Sequence, residues 1–343
     1  MKIMIICPHF RGIEYGVVKS FERLGHEVHP LYFNVGMDKC HYYQRIKLKL
    51  HLSINEFLLK EKRKFNERVL AEYNRILPEY VYVIQGRWMS EKTIDTIKQK
   101  SFISLYLWDM VSLFPEMVST FKHYDIIYSF DNNDTRELLK QGINARYKPS
   151  GYDQGVYHKI NSQKKYDISF IGAMYSDRVV LLKKLIDRFP DIRWGIYGEI
   201  APIRMPAKWI KWRLSPDYKY FKNKNIEKAE VNRVYNESRI VLSIVRSNQK
   251  DGWSARLPEI LGAGAFQVTN WFESVEQEFG ECLALYKSLD ELVEVIDYYL
   301  NHDDVRERIA EVGYKKAVSQ YSDDVLNQFI IEDYMSFKGG TNR

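Results

Sequence analysis

The sequence predicts an α/β protein of two parallel-sheet domains facing a cleft, and three observations carry that prediction. Its 343 residues exceed the size at which one hydrophobic core usually stops growing, so two domains of ~150–170 residues are expected. The chain opens with an apolar strand, a glycine-containing loop, a helix and a second strand, the rhythm of a parallel βαβ unit. After a glycine-rich polar stretch at 150–155 the same rhythm begins again. Open parallel sheets bind ligands beyond the carboxyl ends of their strands, so two of them imply a cleft.

Lys2 to Cys7 is an apolar run bounded by Pro8 and reads as the first strand. Gly12 to Gly16 is a loop, Val17 to Leu24 a helix stopped at Gly25, and Glu27 to Phe33 the next strand. A basic helical region follows, then strand Tyr80 to Ile84, helix Glu91 to Gln99, and strands Phe102 to Leu107 and Ile126 to Phe130. Asp134 to Leu139 is a helix ended by Gly142, and Arg146 to Pro149 closes the first domain. Ser150 to Gly155 has no periodicity and reads as the linker. Beyond it come strand Tyr166 to Ile171, helix Arg178 to Phe189, strand Ile192 to Tyr197, an irregular stretch 202–225, helix 227–237 and strand Ile240 to Val245. A short helix, the strand Ala265 to Thr269 and helices near 289–300 and 303–319 complete the second domain. The expected boundaries are 1–150 and 151–319, with a C-terminal helix at about 320–343 packing back on the first domain.

Composition excludes several classes. With 45% hydrophobic and 28% charged residues the chain is an ordinary globular protein, and no run approaches the ~18 apolar residues of a membrane span. The N-terminal apolar run is too short for a signal peptide. Cys7, Cys40 and Cys282 lack the spacing of a disulfide framework or zinc site, so a reducing cytoplasm is expected. The net charge of +6 is concentrated in 45–68, where Arg45, Lys47, Lys60 and Arg63 interleave with Leu48, Phe57 and Phe65. That segment is either a solvated helix packed on its own domain or a surface for a polyanion, such as the inner face of an anionic membrane.

Two segments speak of chemistry. In Asp251-Gly-Trp-Ser254-Ala-Arg256-Leu-Pro-Glu259-Ile-Leu-Gly262-Ala-Gly264 a loop carrying Arg256 leads into a short helix with Glu259 in its first turns. Arg256 and Glu259 fall about one turn apart at its start, where free N–H groups and the helix dipole favour anions. A cation for a diphosphate beside a carboxylate for a ribose diol is what a nucleotide-sugar site requires. In Asp167-Ile-Ser-Phe-Ile-Gly172-Ala-Met-Tyr-Ser-Asp-Arg178 a buried strand ends at a glycine and an arginine opens a helix, a second place to hold a diphosphate. Gly198, after the next strand, and Ser254 join this donor-binding set.

Phe170-Ile-Gly172 with Arg178, and Arg256-x-x-Glu259-x-x-Gly262-x-Gly264, resemble the second domain of GT-B-fold glycosyltransferases, built of two Rossmann-like domains. The nearest groups are the CgeB-like spore-maturation type and bacterial surface-polysaccharide relatives. The likeness continues through Tyr286-Lys-Ser-Leu-Asp-Glu-Leu and His302-Asp-Asp-Val-Arg-Glu-Arg, and in the first half through Leu24-Gly-His-Glu-Val28, Leu105-Tyr-Leu-Trp-Asp109 and Tyr128-Ser-Phe-Asp131. The resemblance implies that Glu259 binds the donor ribose and that Arg178 and Arg256 hold the diphosphate. It also implies a UDP-sugar donor, a glycan or lipid-linked acceptor, and no cofactor or metal. Retaining members carry an acid where Asp251 stands, but here Gly252-Trp253 follows it in place of an apolar-glycine pair.

Asp109 ends an apolar strand where its side chain would emerge at the carboxyl edge of the sheet. Its Leu-Trp-Asp setting resembles the position of the base in the phage DNA β-glucosyltransferase, and it is either such a base or the cap of a following helix. His9 and Glu14, flanking the first glycine loop, are the competing catalytic candidates. Asp131-Asn-Asn-Asp134 imitates an acidic metal motif but precedes a helix, so Asp131 or Asn132 is expected as its N-cap. The aromatic and basic stretch Trp209, Trp212, Tyr218, Tyr220 and Phe221 reads as core packing plus a pocket for the donor base, with nucleic-acid stacking as the other reading. The function expected is inverting, metal-independent sugar transfer in cell-surface polysaccharide or glycoconjugate assembly. The alternatives are a phage-type glucosyltransferase acting on a hydroxymethylated DNA base and a non-catalytic sugar-nucleotide-binding protein.

Overall fold

The computed structural model describes residues 1–9, 13–33, 54–201, 205–245 and 253–340. These form two compact units, one from Met1–Ser150 and Asp323–Arg343, the other from Gly151–Ser322. The first unit runs β1 (Lys2–Pro8), α1 (Ile13–Arg23), β2 (Glu27–Phe33), α2 (Ile54–Ile76), β3 (Tyr80–Ile84), α3 (Glu91–Lys98), β4 (Phe102–Leu107), β5 (Ile126–Ser129), α4 (Asn132–Lys140) and β6 (Ala145–Tyr147). Two 3₁₀ turns, Val111–Leu113 and Pro115–His123, lie between β4 and β5.

The second unit runs β7 (Tyr166–Ile171), α5 (Ser176–Arg188), β8 (Trp194–Tyr197), α6 (Pro206–Arg213), α7 (Lys228–Asn236), β9 (Ser238–Ser243), α8 (Arg256–Gly262), β10 (Gln267–Asn270), α9 (Glu273–Phe279), β11 (Ala284–Tyr286), α10 (Leu289–Asn301) and α11 (Asp303–Lys316). The last helix, α12 (Asp323–Gly340), belongs to the first unit.

Among the described residues the first sheet has the order β2-β1-β3-β4-β5-β6 and the second β11-β10-β9-β7-β8, with every pairing parallel. The chain therefore reverses its direction of growth between β1 and β3 in one unit and between β7 and β9 in the other. Both switch points open at the carboxyl ends of strands, where α/β sheets take ligands.

Period-two alternation builds the first core. Met4 and Ile6 of β1 face Phe65, Val69 and Tyr73 of α2, with Ile94 and Ile97 of α3 on the same side. Ile3, Ile5 and Cys7 face the other way, onto Phe21 of α1 and Ile330 and Ile331 of α12. Polar contacts fix α12 in place. Tyr334 stacks on Tyr80 at 5.3 Å, Tyr128 donates to Asp333 at 3.1 Å, and Asn327 donates to Ser20 at 2.9 Å. In the second unit Ile168, Phe170, Ile196, Leu242 and Val268 form the sheet core against Leu182, Leu185 and Ile186 of α5.

Where the elements differ from the sequence reading, the reasons are local. β6 and β11 are three-residue strands, too short to display an alternation. α1 begins at Ile13, so Gly16 lies inside a helix and Glu14 in its first turn rather than in a loop. β9 begins at Ser238, whose hydroxyl meets that of Ser169 at 2.8 Å and so enters the sheet without an unmet polar group.

Candidate functional site

In the second unit β7 ends in Ile171, and the N–H of Gly172 donates to the carbonyl of Tyr197 at 3.0 Å. Gly198 follows directly, and a methyl group there would lie 2.1 Å from the carbonyl oxygen of Gly172. Only glycine lets the two strand ends meet this closely. The turn then delivers Arg178 into the first turns of α5, donating Nη1 to the Ala173 carbonyl at 3.2 Å. Its guanidinium lies 5.3 Å from the Tyr175 ring centre and 5.8 Å from that of Phe170. Nε of Arg178 is buried without a hydrogen-bond partner, a costly condition for a charged donor.

Arg256 is the first residue of α8 rather than part of the preceding loop. Its Nη1 lies 3.1 Å from Glu259 and donates to the Tyr235 hydroxyl at 2.7 Å. Burial opposes its charge, but Tyr235, Glu259 and Tyr157 outweigh this and hold the guanidinium above its ordinary value. Burial, and next the charge of the nearby Glu259 carboxylate, keep the phenol of Tyr157 firmly protonated. Gly262 admits the ring of Tyr152, which a methyl group would strike at 2.2 Å. Ser254 is exposed at the entry to the helix, and its carbonyl accepts from Leu257 at 3.0 Å.

Arg178 and Arg256 come from separate segments, and the fold brings them within electrostatic reach. Burial lowers the tendency of Arg178 to hold its proton and Arg256 lowers it further, against the pull of Asp177. Tyr286, buried at the end of β11, feels the Arg178 charge as well. The carboxyl ends of β7, β8 and β11 and the start of α8 thus carry two cations, two close-approach glycines and a carboxylate. Tyr157 and Tyr235 were not legible as site residues. They sit on a loop and a helix far from either motif, and a tyrosine at a helical spacing reads as core.

In the first unit Asp109 follows β4 and accepts from the side-chain amide of Gln85, at the end of β3, at 3.2 Å. Burial pushes its carboxyl above the ordinary carboxylate value, and the Gln85 amide pulls the other way. The capping alternative is corrected: Met110 stands at the N-cap of the following turn, with no side-chain cap. Asp109 also borders a small pocket lined by Leu107, Val111 and Phe114. Gln85 was not foreseen, although a polar-glycine pair after an apolar strand was its signal. His9 and Glu14 are brought into direct contact. Glu14 is fully buried while the His9 ring is 41% exposed, so His9 is the one of the pair that can meet a ligand. Its ring lies 5.7 Å from that of Tyr15 and 6.0 Å from that of Tyr32.

Asp131 is the N-cap of α4 and accepts from Asp134 N–H at 2.9 Å. Asp134 in turn accepts from Val111 N–H at 2.8 Å. Among the described residues no three acidic, histidine or cysteine side chains gather as a metal site, and no helix is long and apolar enough to cross a membrane. The core-packing reading of the aromatic stretch is corrected for α6, which buries none of its residues; Phe221 alone of the five aromatics is buried. Asp251 and residues 45–53 lie outside the described residues.

Residues 178–330 match a family model described as glycosyl transferase-like. Spore protein CgeB of Bacillus subtilis (strain 168) is 22% identical over 283 residues, which cover 75% of this chain and 83% of that protein. Solved structures align over nearly the whole length. The sucrose-phosphate synthase of Thermosynechococcus elongatus covers 98% of this chain and 99% of its own at TM-score 0.68 and 10% identity. A glycosyltransferase from Rickettsia africae covers 98% of both at 0.66 and 15%. HepE of Anabaena, solved in complex with UDP, covers 98% of this chain and 100% of its own at 0.62 and 12%.

Proposed function

Because the chain is a glycosyltransferase of the GT-B fold, of the CgeB-like kind, we propose that it moves a sugar from a nucleotide-sugar to a hydroxyl acceptor. The donor is a UDP-sugar, and the product a cell-surface polysaccharide or glycoconjugate. The observation that carries the donor reading is Arg178, part-buried beside Gly172 with its charge opposed by burial and by Arg256. A cation so placed is relieved by a nearby anion, and a diphosphate supplies one. The unpartnered Nε of Arg178 offers a ready donor to it.

Glu259 then takes the ribose. A carboxylate has about four acceptor sites; Arg256 lies against one oxygen, which leaves acceptor sites for a vicinal diol. HepE holds UDP in its solved structure, which favours uridine as the base. Ser254 is assigned to the phosphates from its exposure at the helix entry.

For the chemical step we assign inversion without a metal. The acceptor oxygen attacks the anomeric carbon as the bond to the diphosphate breaks. A carboxylate takes the hydroxyl proton, and the arginines neutralise the charge that grows on the leaving group. Asp109 is the base of this reading: burial raises its carboxyl and so strengthens it as a proton acceptor. His9, backed by Glu14, is the competitor. The acceptor is a glycan or a lipid-linked sugar, and segment 45–68 would give the enzyme peripheral contact with an anionic membrane.

The test is calorimetry with UDP, GDP and ADP, followed by a screen for nucleotide release from a panel of nucleotide-sugars. UDP binding with UDP release from at least one sugar supports the assignment. No binding of any nucleoside diphosphate overturns it.

A further inference from the structure

After β8 the chain makes an excursion whose head is exposed and whose root is tied down. At the root, Asn223 accepts from the N–H groups of Ile200 and Ala201, each at 2.8 Å, and donates to the Ala201 carbonyl at 2.9 Å. Asn223 does this from a left-handed conformation, φ +48°, which asparagine tolerates better than most residues. Beside it Phe221 is buried, and Lys222 N–H pairs with the Ile196 carbonyl at 2.9 Å.

The head, residues 205–220, is different in kind. Helix α6 buries no residue at all. Trp212 packs edge-on against Tyr218 at 5.2 Å, and Arg213 lies 3.7 Å from the Tyr218 ring centre. Trp212 and Tyr218 thereby pair within the excursion, and the aliphatic side chains are left outside. Ile210 and Leu214, four positions apart and so on one face, are 52% and 80% exposed, and Met205 next to the helix is 51% exposed. Lys211 and Arg213 flank that stripe on its two sides. Over 205–222 the sequence carries five lysines and arginines against one acid.

We infer that this head is a docking surface for an anionic lipid bilayer, with Ile210 and Leu214 entering the interface and the surrounding lysines and arginines meeting lipid phosphates. Apolar side chains standing in water above a rim of cations is the arrangement that an interfacial helix needs. A nucleic acid would satisfy the cations but leave Ile210 and Leu214 in water, so the aliphatic stripe favours lipid. The inference does not depend on the donor assignment. Its residues are separate from Arg178, Arg256, Glu259 and Asp109.

The experiment is flotation of the full chain with vesicles of equal parts phosphatidylcholine and phosphatidylglycerol, against phosphatidylcholine alone. Binding to the mixed vesicles is expected, weakened by salt. The Ile210→Ser/Leu214→Ser variant, whose changes lie on exposed carbons and should leave thermal unfolding unaltered, should bind the mixed vesicles on the order of tenfold less. Lys208→Gln/Lys211→Gln should lose about fivefold per lysine. If wild-type protein ignores anionic vesicles, or if the serine variant binds them as wild type does, the inference fails. It is equally overturned if a DNA or RNA duplex binds more tightly than the vesicles in a manner sensitive only to the lysine changes. Dimerisation in the absence of lipid that the serine changes abolish would instead make the face an interface between copies.

Discussion

Gln85 holds Asp109 by a hydrogen bond of 3.2 Å, and it does so from a left-handed backbone conformation, φ +65°. Glutamine rarely adopts that conformation, at a cost of ~1 kcal/mol or more. Its N–H is anchored on the Tyr106 carbonyl at 2.9 Å, so β3 and β4 together aim the amide at the carboxylate. Gln85→Ala should remove the contact that lowers the Asp109 carboxyl and leave burial unopposed. The base would then hold its proton to higher pH, and the acid limb of kcat/KM should move up in pH. An unmoved limb excludes Asp109 as the group that titrates there.

Asp109→Asn keeps the size of the side chain and removes its ability to take a proton. Transfer should fall by ~10²–10⁴-fold while calorimetric donor affinity stays near wild type, and the product should be of inverted configuration. His9→Gln and Glu14→Gln need the same assay. Near-normal transfer by the Asn variant passes the role to that pair, and retention of configuration removes the need for this base.

Glu259→Ala should weaken donor binding by ~10–150-fold, the loss of about one charge-assisted hydrogen bond worth ~1.5–3 kcal/mol. It also strips Arg256 of a partner at 3.1 Å, so Glu259→Gln is the companion that keeps a hydrogen-bond acceptor in place. Unchanged donor affinity in the Ala variant refutes the ribose assignment.

Arg178→Ala and Arg256→Ala should each lower kcat by ~10²-fold, because each removes a fixed cation from a growing charge. Their stabilities should diverge. Arg256 carries the Glu259 and Tyr235 contacts, and its loss should cost ~1–3 kcal/mol, whereas removing Arg178 loses only the contact of Nη1 with the Ala173 carbonyl and relieves a buried Nε without a partner. Normal turnover by both variants with a chelator present would mean that other groups neutralise the leaving diphosphate.

Asp167 opens the second sheet and is clamped by Arg193, with two contacts of 3.0 and 2.8 Å, and by Arg193 N–H at 2.9 Å. These contacts pull its carboxyl down to about 2. A lowered folded-state value means stability that is present above the ordinary carboxylate range and lost as pH falls toward 2. Asp167→Asn should therefore cost roughly 2 kcal/mol near neutrality and progressively less in acid. An equal cost at every pH shows that the clamp works by shape rather than by charge.

The sequence alone determined the course of the sheets and the residue types of the candidate site in the second unit. Strands such as Tyr80–Ile84 and Phe102–Leu107 are legible because a strand buried on both faces reads as a nearly continuous apolar run. Gly172, Gly198, Arg178, Arg256 and Glu259 stand at strand ends and helix starts, where backbone geometry restricts what a position can be. What only the tertiary structure decided is who meets whom. Arg178 and Arg256 are separated by a whole α/β run, Tyr235 reaches Arg256 from α7, and Gln85 reaches Asp109 across adjacent strands. None of these pairs shares a period or a motif, so no local rule can announce it. The exposed face of α6 was equally hidden: its tryptophans look like core in a linear reading. The fold instead sets Trp212 against Tyr218 and leaves Ile210 and Leu214 in water.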